Sequence, residues 1–146
     1  MKPREDPNLP KNSQPPQFMR DYDNLTQILT DRKLAQLGDA YINFVYSLAL
    51  SQKKGKPSGA KVKGTALADA LRKAGLRKHL PSRRDKHVLS DAAEALVVYA
   101  WLHKLLTLED SVETLEKTGT LVEGLTQLLL EVKEKIKLSE LFPIPY

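Results

Sequence analysis

Leu34-Ala35-Gln36-Leu37-Gly38-Asp39-Ala40-Tyr41-Ile42-Asn43-Phe44-Val45-Tyr46-Ser47-Leu48 is the stretch on which the fold turns. Leu34, Leu37, Tyr41, Phe44, Val45 and Leu48 recur at helical spacing and predict a core face. Thr30 or Asp31 can cap the start of this helix, which is expected to run to about Ser51 and to lie centrally. Before it, Asp23 can cap a short helix through Leu29. Pro3, Pro7, Pro10, Pro15 and Pro16 stand among polar residues at the front of the chain. Such a composition buries too little apolar surface to offset its ordering entropy, so residues 1–20 are expected to form a flexible tail. Residues 21–146 are expected to form one helical domain.

After the central helix, Gly55, Pro57 and Gly59 make Lys53 to Gly59 a loop. Val62, Ala66, Leu67, Ala70 and Leu71 then predict an amphipathic helix ending at a left-handed Gly75. Pro81 and Ser82 punctuate the next start, where Ser82 with Asp85 resembles a capping box and Asp85 alone is the other candidate cap. From Val88 to about Leu106 the positions Val88, Ala92, Leu96, Tyr99, Ala100 and Leu105 predict a second deeply buried helix. Glu109 to Lys117 and Thr120 to about Lys137 give two more, parted near Gly119. No stretch alternates as a strand does, so the expectation is an all-α architecture of five to seven packed helices.

The chain has 146 residues, 41% of them apolar, enough for one core. It has no cysteine, which excludes disulfides and thiolate metal sites, and only His79, His87 and His103 offer imidazole. A bound metal would be held mainly by oxygen. There is neither an apolar run of spanning length nor a hydrophobic leader core at the start, so a soluble, cytoplasmic protein with no membrane partner is expected. The net charge of +5 is unevenly spread. Between Gln52 and Val88 twelve Lys or Arg stand against Asp69 and Asp85, which would suit a polyanion through release of condensed counterions. A solvated helical surface would carry the same charges, and charge alone leaves both readings open.

Three carboxylates sit where apolar residues dominate. Asp39 lies in the central helix, and Asp91 and Glu94, three apart and therefore on one helical face, lie in Ser90-Asp91-Ala92-Ala93-Glu94-Ala95-Leu96. Gly38, Ala40, Ala92, Ala93 and Ala95 would let two helices approach and bring the three acids together. Clustered like charges repel, and burying them uncompensated costs about several kcal/mol per ion, so such clusters usually hold a cation or a basic partner. An all-oxygen, partly hydrated site is what Mg²⁺ or Mn²⁺ prefers. Taken alone, a pair such as Asp91 and Glu94 usually faces water, and a lone acid such as Asp39 is more often a salt-bridged or capping residue than a ligand; the two motifs together are far more specific.

Leu37-Gly38-Asp39-Ala40 closely resembles the signature helix of ribonuclease III, and Asp91-Ala92-Ala93-Glu94-Ala95-Leu96 resembles that family's second acidic helix. Leu67-Ala68-Asp69-Ala70-Leu71-Arg72-Lys73-Ala74-Gly75-Leu76 looks like its connecting helix with the Gly-Leu ending. The resemblance spans roughly Leu34 to Leu106 and implies an all-α endonuclease domain acting as a homodimer. One position departs: the family places a Glu four residues before the Asp, and here that position is Ala35. The compact Mini-ribonuclease III looks similar in having Ala there and in lacking a double-stranded RNA-binding domain, and none is expected here after about Lys137.

The resemblance implies hydrolysis of double-stranded or structured RNA to 5′-phosphate and 3′-hydroxyl ends. Asp39, Asp91 and Glu94 would be the catalytic residues and the ligands of Mg²⁺ or Mn²⁺. Asn43, four residues beyond Asp39, either orients a metal-bound water or is satisfied within the structure. Lys61, Lys63, Arg83, Arg84 and Lys86 flank the acids in sequence and are the candidate RNA contacts. His87 and His103 read as ordinary surface or core histidines, and Tyr46, Tyr99 and Trp101 as core. A catalytically silent RNA-binding or ribosome-associated relative is the alternative, favoured by Ala35 and opposed by the three retained acids. A helical interaction module without a nucleic-acid role is a further rival.

Overall fold

The computed structural model describes residues 14–81, 85–139 and 141–142. Among these there are six α-helices and no strand, as the periodicity predicts. Asn24, rather than Asp23, caps α1 (Leu25–Leu29) by accepting from the Gln27 N–H. The Asp31 carboxylate accepts from the N–H groups of Lys33 and Leu34 and so starts α2 (Arg32–Lys54). That helix runs beyond Ser51 and stops at Gly55, which takes the left-handed conformation at φ 72°. Val62 precedes α3 (Gly64–Lys73) instead of lying within it. Gly75, at φ 74°, closes α3, with the Leu76 N–H bonded back to the Leu71 carbonyl and the Gly75 N–H to that of Arg72.

A single 3₁₀ turn over Arg77–His79 leads toward α4 (Lys86–Leu102), capped by Asp85 through the Val88 N–H. Ser82, the other candidate cap, lies outside the described residues, as do Arg83 and Arg84. The expected end of α4 near Leu106 is corrected to Leu102, because the chain turns through Lys104 at φ 60°. Thr107 and Asp110 form a reciprocal capping box for α5 (Leu108–Lys117), and α6 is Leu121–Ser139.

The hub is α4. Its apolar residues lie on all sides, and it packs against α1, α2, α3 and α6, while α5 lies on α2 and α6. Small residues set how closely α2 meets α4. A Cβ on Gly38 would run into the backbone carbonyl of Glu94, so any other residue there would push the helices apart. The buried stripe of α2 is consequently Leu34, Ala35, Gly38, Tyr41, Ile42, Val45 and Ala49. This corrects the predicted core face: Leu37 is 40% exposed and Phe44 is 54% exposed. Periodicity weights the largest apolar side chains, whereas close packing selects the small ones. Trp101, also expected in the core, is 36% exposed and stacks on Tyr41 with ring centroids 5.2 Å apart. Before α1, Met19 packs partly buried against the core.

Candidate metal and RNA site

The close approach at Gly38 also sets the places of its neighbours on both helices. Asp39, exposed on α2, is brought against Glu94, whose residue is only 7% exposed on α4. Both line a cleft of about 410 Å³ together with Arg32, Gln36, Ser90 and Asp91. On α2 the residues Arg32, Gln36 and Asp39 follow i, i+4, i+7 spacing, and on α4 His87, Ser90, Asp91 and Glu94 follow i, i+3, i+4, i+7, so each helix offers one face. Ala35, where the acidic signature would have Glu, is buried in the cleft wall.

The electrostatics show two acids sharing one place. Burial, then a hydrogen bond to Asp39, then the negative charges of Asp39 and Asp91 push the Glu94 carboxyl up to about 8. Burial and the neighbouring acids thus favour the protonated form of Glu94 beside Asp39. Asp91 is raised more mildly. Burial drives it up, the charges of Arg32 and His87 oppose that, and Asp85 and Asp39 add repulsion. Asp39 and Glu94 thus meet directly, while Asp91 stands within electrostatic reach. Among the described residues no three acidic or imidazole groups close around one point. A half-open carboxylate pair fits Mg²⁺ in kind, since that ion keeps several waters and often takes only one or two protein carboxylates.

Asn43 is satisfied on both sides: its amide donates to Asp39 Oδ1 at 3.3 Å and its carbonyl accepts from the Val62 N–H at 2.7 Å. Lys61 and Lys63 are exposed on the segment that Asn43 holds, and Lys86 is exposed at the first residue of α4. Ala40, expected to ease the helix contact, faces outward, whereas Ala92, Ala93 and Ala95 are wholly buried. Sequence reasoning passes over Arg32, Gln36 and Ser90, and gives His87 no part in the cleft it lines. Their register with Asp39 and Asp91 is the signal that finds them. His103, by contrast, lies half-buried against the Tyr99 ring, as an ordinary packed histidine does.

The described residues thus form a helical domain that holds two helix-borne carboxylates together at the edge of a cleft. The family model for ribonuclease III matches residues 32–138, and the chain belongs to the ribonuclease III family. No curated protein matches it significantly. No helix among the described residues is long and apolar enough to cross a membrane.

Proposed function

We propose that this chain is a metal-dependent endoribonuclease that hydrolyses phosphodiesters in double-stranded or structured RNA, acting in the cytoplasm and leaving 5′-phosphate and 3′-hydroxyl ends. The observation that carries the proposal is the Glu94 carboxyl, buried and forced by the Gly38 contact against a second acid at the edge of an open cleft. A structural acid would be expected to face a cation, and this one faces two other acids. Asp39 and Glu94 would hold Mg²⁺ or Mn²⁺, with Asp91 joining directly or through water. Such an ion, when bound, lowers the pKa of its water and neutralises charge developing on the scissile phosphate. Glu94 gives up its proton to bind it, so binding is proton-coupled and strengthens as pH rises. Lys61, Lys63, Lys86, Arg83 and Arg84 would take backbone phosphates on either side.

The working unit would be a homodimer. Leu37, Tyr41 and Phe44 lie on one face of α2, and Trp101 stacks on Tyr41 beside them. Leu37, Phe44 and Trp101, three large apolar side chains left open together there, suit a second copy of the same face. The silent RNA-binding relative keeps two observations in its favour, the buried Ala35 in place of a further carboxylate and the open rather than closed acid set.

Incubating the purified protein with a duplex RNA, with and without Mn²⁺, separates the two. Cleavage only with metal, giving 5′-phosphate ends, is expected. Salt-dependent binding without cleavage would establish the silent relative instead.

A further inference from the structure

Asp39, Asn43, Ser47 and Ser51 follow one another at four-residue intervals along a single stripe of α2. The segment joining α2 to α3 runs back along this stripe and is bonded to it at every second residue. The Ser58 N–H donates to Ser51 Oγ at 2.8 Å, the Ala60 N–H to Ser47 Oγ at 3.0 Å, and the Val62 N–H to Asn43 Oδ1 at 2.7 Å. The alternation sorts the side chains near its end: Val62 is buried, while Lys61 and Lys63 are exposed on either side of it. Where the strap ends, Gly64 packs against Ser90, and a Cβ there would stand 3.7 Å from the Ser90 hydroxyl that lines the acidic cleft. Two cations are therefore carried along the helix toward the acids at a register set by three side chains.

Asn43 is the one of the three that touches both parts. Its carbonyl holds the strap, and its amide donates to Asp39, an exposed carboxylate that has to face Glu94. Ser47 and Ser51 hold the strap alone. A polar amide in mid-helix has no local reason to be there, since Asn is among the weaker helix formers.

We infer that Asn43 is a positioning residue that registers the lysine-bearing strap against the acidic pair, so that phosphates gripped by Lys61 and Lys63 are presented at Asp39. The inference rests on the reading of this chain as an RNA-cleaving enzyme. Its two bonds assign two separable effects. The bond to Val62 governs how RNA is held, and the bond to Asp39 governs how the acid is aimed.

Three variants of the full chain separate them, assayed on duplex RNA with Mn²⁺ and by amide exchange at Val62. Asn43→Asp keeps an acceptor for the Val62 N–H but replaces the donor to Asp39 with a like charge that pushes that acid away, so KM stays near wild type while kcat falls about tenfold or more. Ser47→Ala loosens only the strap, so KM rises about threefold and kcat holds. Asn43→Ala loses both bonds, combines the two effects and speeds exchange at Val62. If Asn43→Ala does not fold, the contrast between Asn43→Asp and Ser47→Ala decides alone. Wild-type kcat in Asn43→Asp, or an unchanged KM in Ser47→Ala, would overturn the inference while the wild type still cleaves. A wild type that cleaves nothing would remove the functional reading, and this inference with it.

Discussion

Glu94 carries most of the site's physics in one carboxyl. Its proton is retained to about 8, far above the 4.5 of a free Glu, so folded protein binds more protons than unfolded between those values. By linkage, stability of the metal-free protein falls as pH rises from about 4.5 through about 8 and then levels, the loss being on the order of a few kcal/mol. His79 and His103, held neutral by burial, act in the opposite sense below about 6.5. The Glu94 contribution is therefore read as the difference between wild type and Glu94→Gln, which is expected to lack the falling phase. A difference that stays constant over pH 5 to 8.5 in urea denaturation would mean that the acid is not crowded. Gly38 is the other deciding residue. Gly38→Ala places a methyl against the Glu94 backbone and is expected to cost about 3 kcal/mol by denaturant midpoint, because backbone cannot rotate out of the way as a side chain can. Asp39, Asp91 and Glu94 are legible in the sequence as a group, since spacing and small neighbours suffice for that. Their ranking is not, because the direct contact of Glu94 with Asp39 and the more distant place of Asp91 depend on how α2 turns about Gly38.

At the scale of elements, caps and turns are more legible than faces. Asp31, Asp85 and Gly75 end or begin helices as their chemistry dictates. On α2 the size of Leu37 and Phe44 suggests burial, while Ala35, Gly38 and Ala49 make the actual contact. Helix number and order follow from periodicity, whereas rotation about the axis follows from the partner's surface, which a single helix's sequence does not contain. The turn after α4 offers a separate test. Lys104 adopts a left-handed backbone at φ 60°, costing about 1 kcal/mol or more, and its amine lies 5.8 Å over the Trp101 ring, a contact worth about 0.5 kcal/mol when exposed. Backbone strain outweighs the ring contact, so Lys104→Gly is expected to stabilise the fold by about 0.5 to 1 kcal/mol. A lower melting temperature for that variant would show that the ring contact matters more.

For the molecule as a whole, the exposed Leu37, Phe44 and Trp101 and the basic strap point to two different partners, a second copy and a polyanion. Light scattering is expected to give twice the 16.4 kDa chain mass at micromolar concentration, and Phe44→Arg is expected to return it to one. A monomeric wild type would remove the dimer. Reversing Lys61, Lys63 and Lys86 together is expected to lower the salt slope of duplex-RNA binding by about one unit per lost phosphate contact, and an unchanged slope would return these lysines to plain surface. The central claim, a cation held between Asp39 and Glu94 for RNA cleavage, is tested most directly by melting temperature with and without Mn²⁺, measured beside duplex cleavage for wild type, Asp39→Asn and Glu94→Gln. Mn²⁺ should raise the wild-type melting temperature by about 5 °C or more and leave both amides unmoved. Without metal the amides should melt at or above wild type, and both should cleave at least about a hundredfold more slowly. A wild type that gains nothing from Mn²⁺, together with amides that melt lower, would contradict the claim.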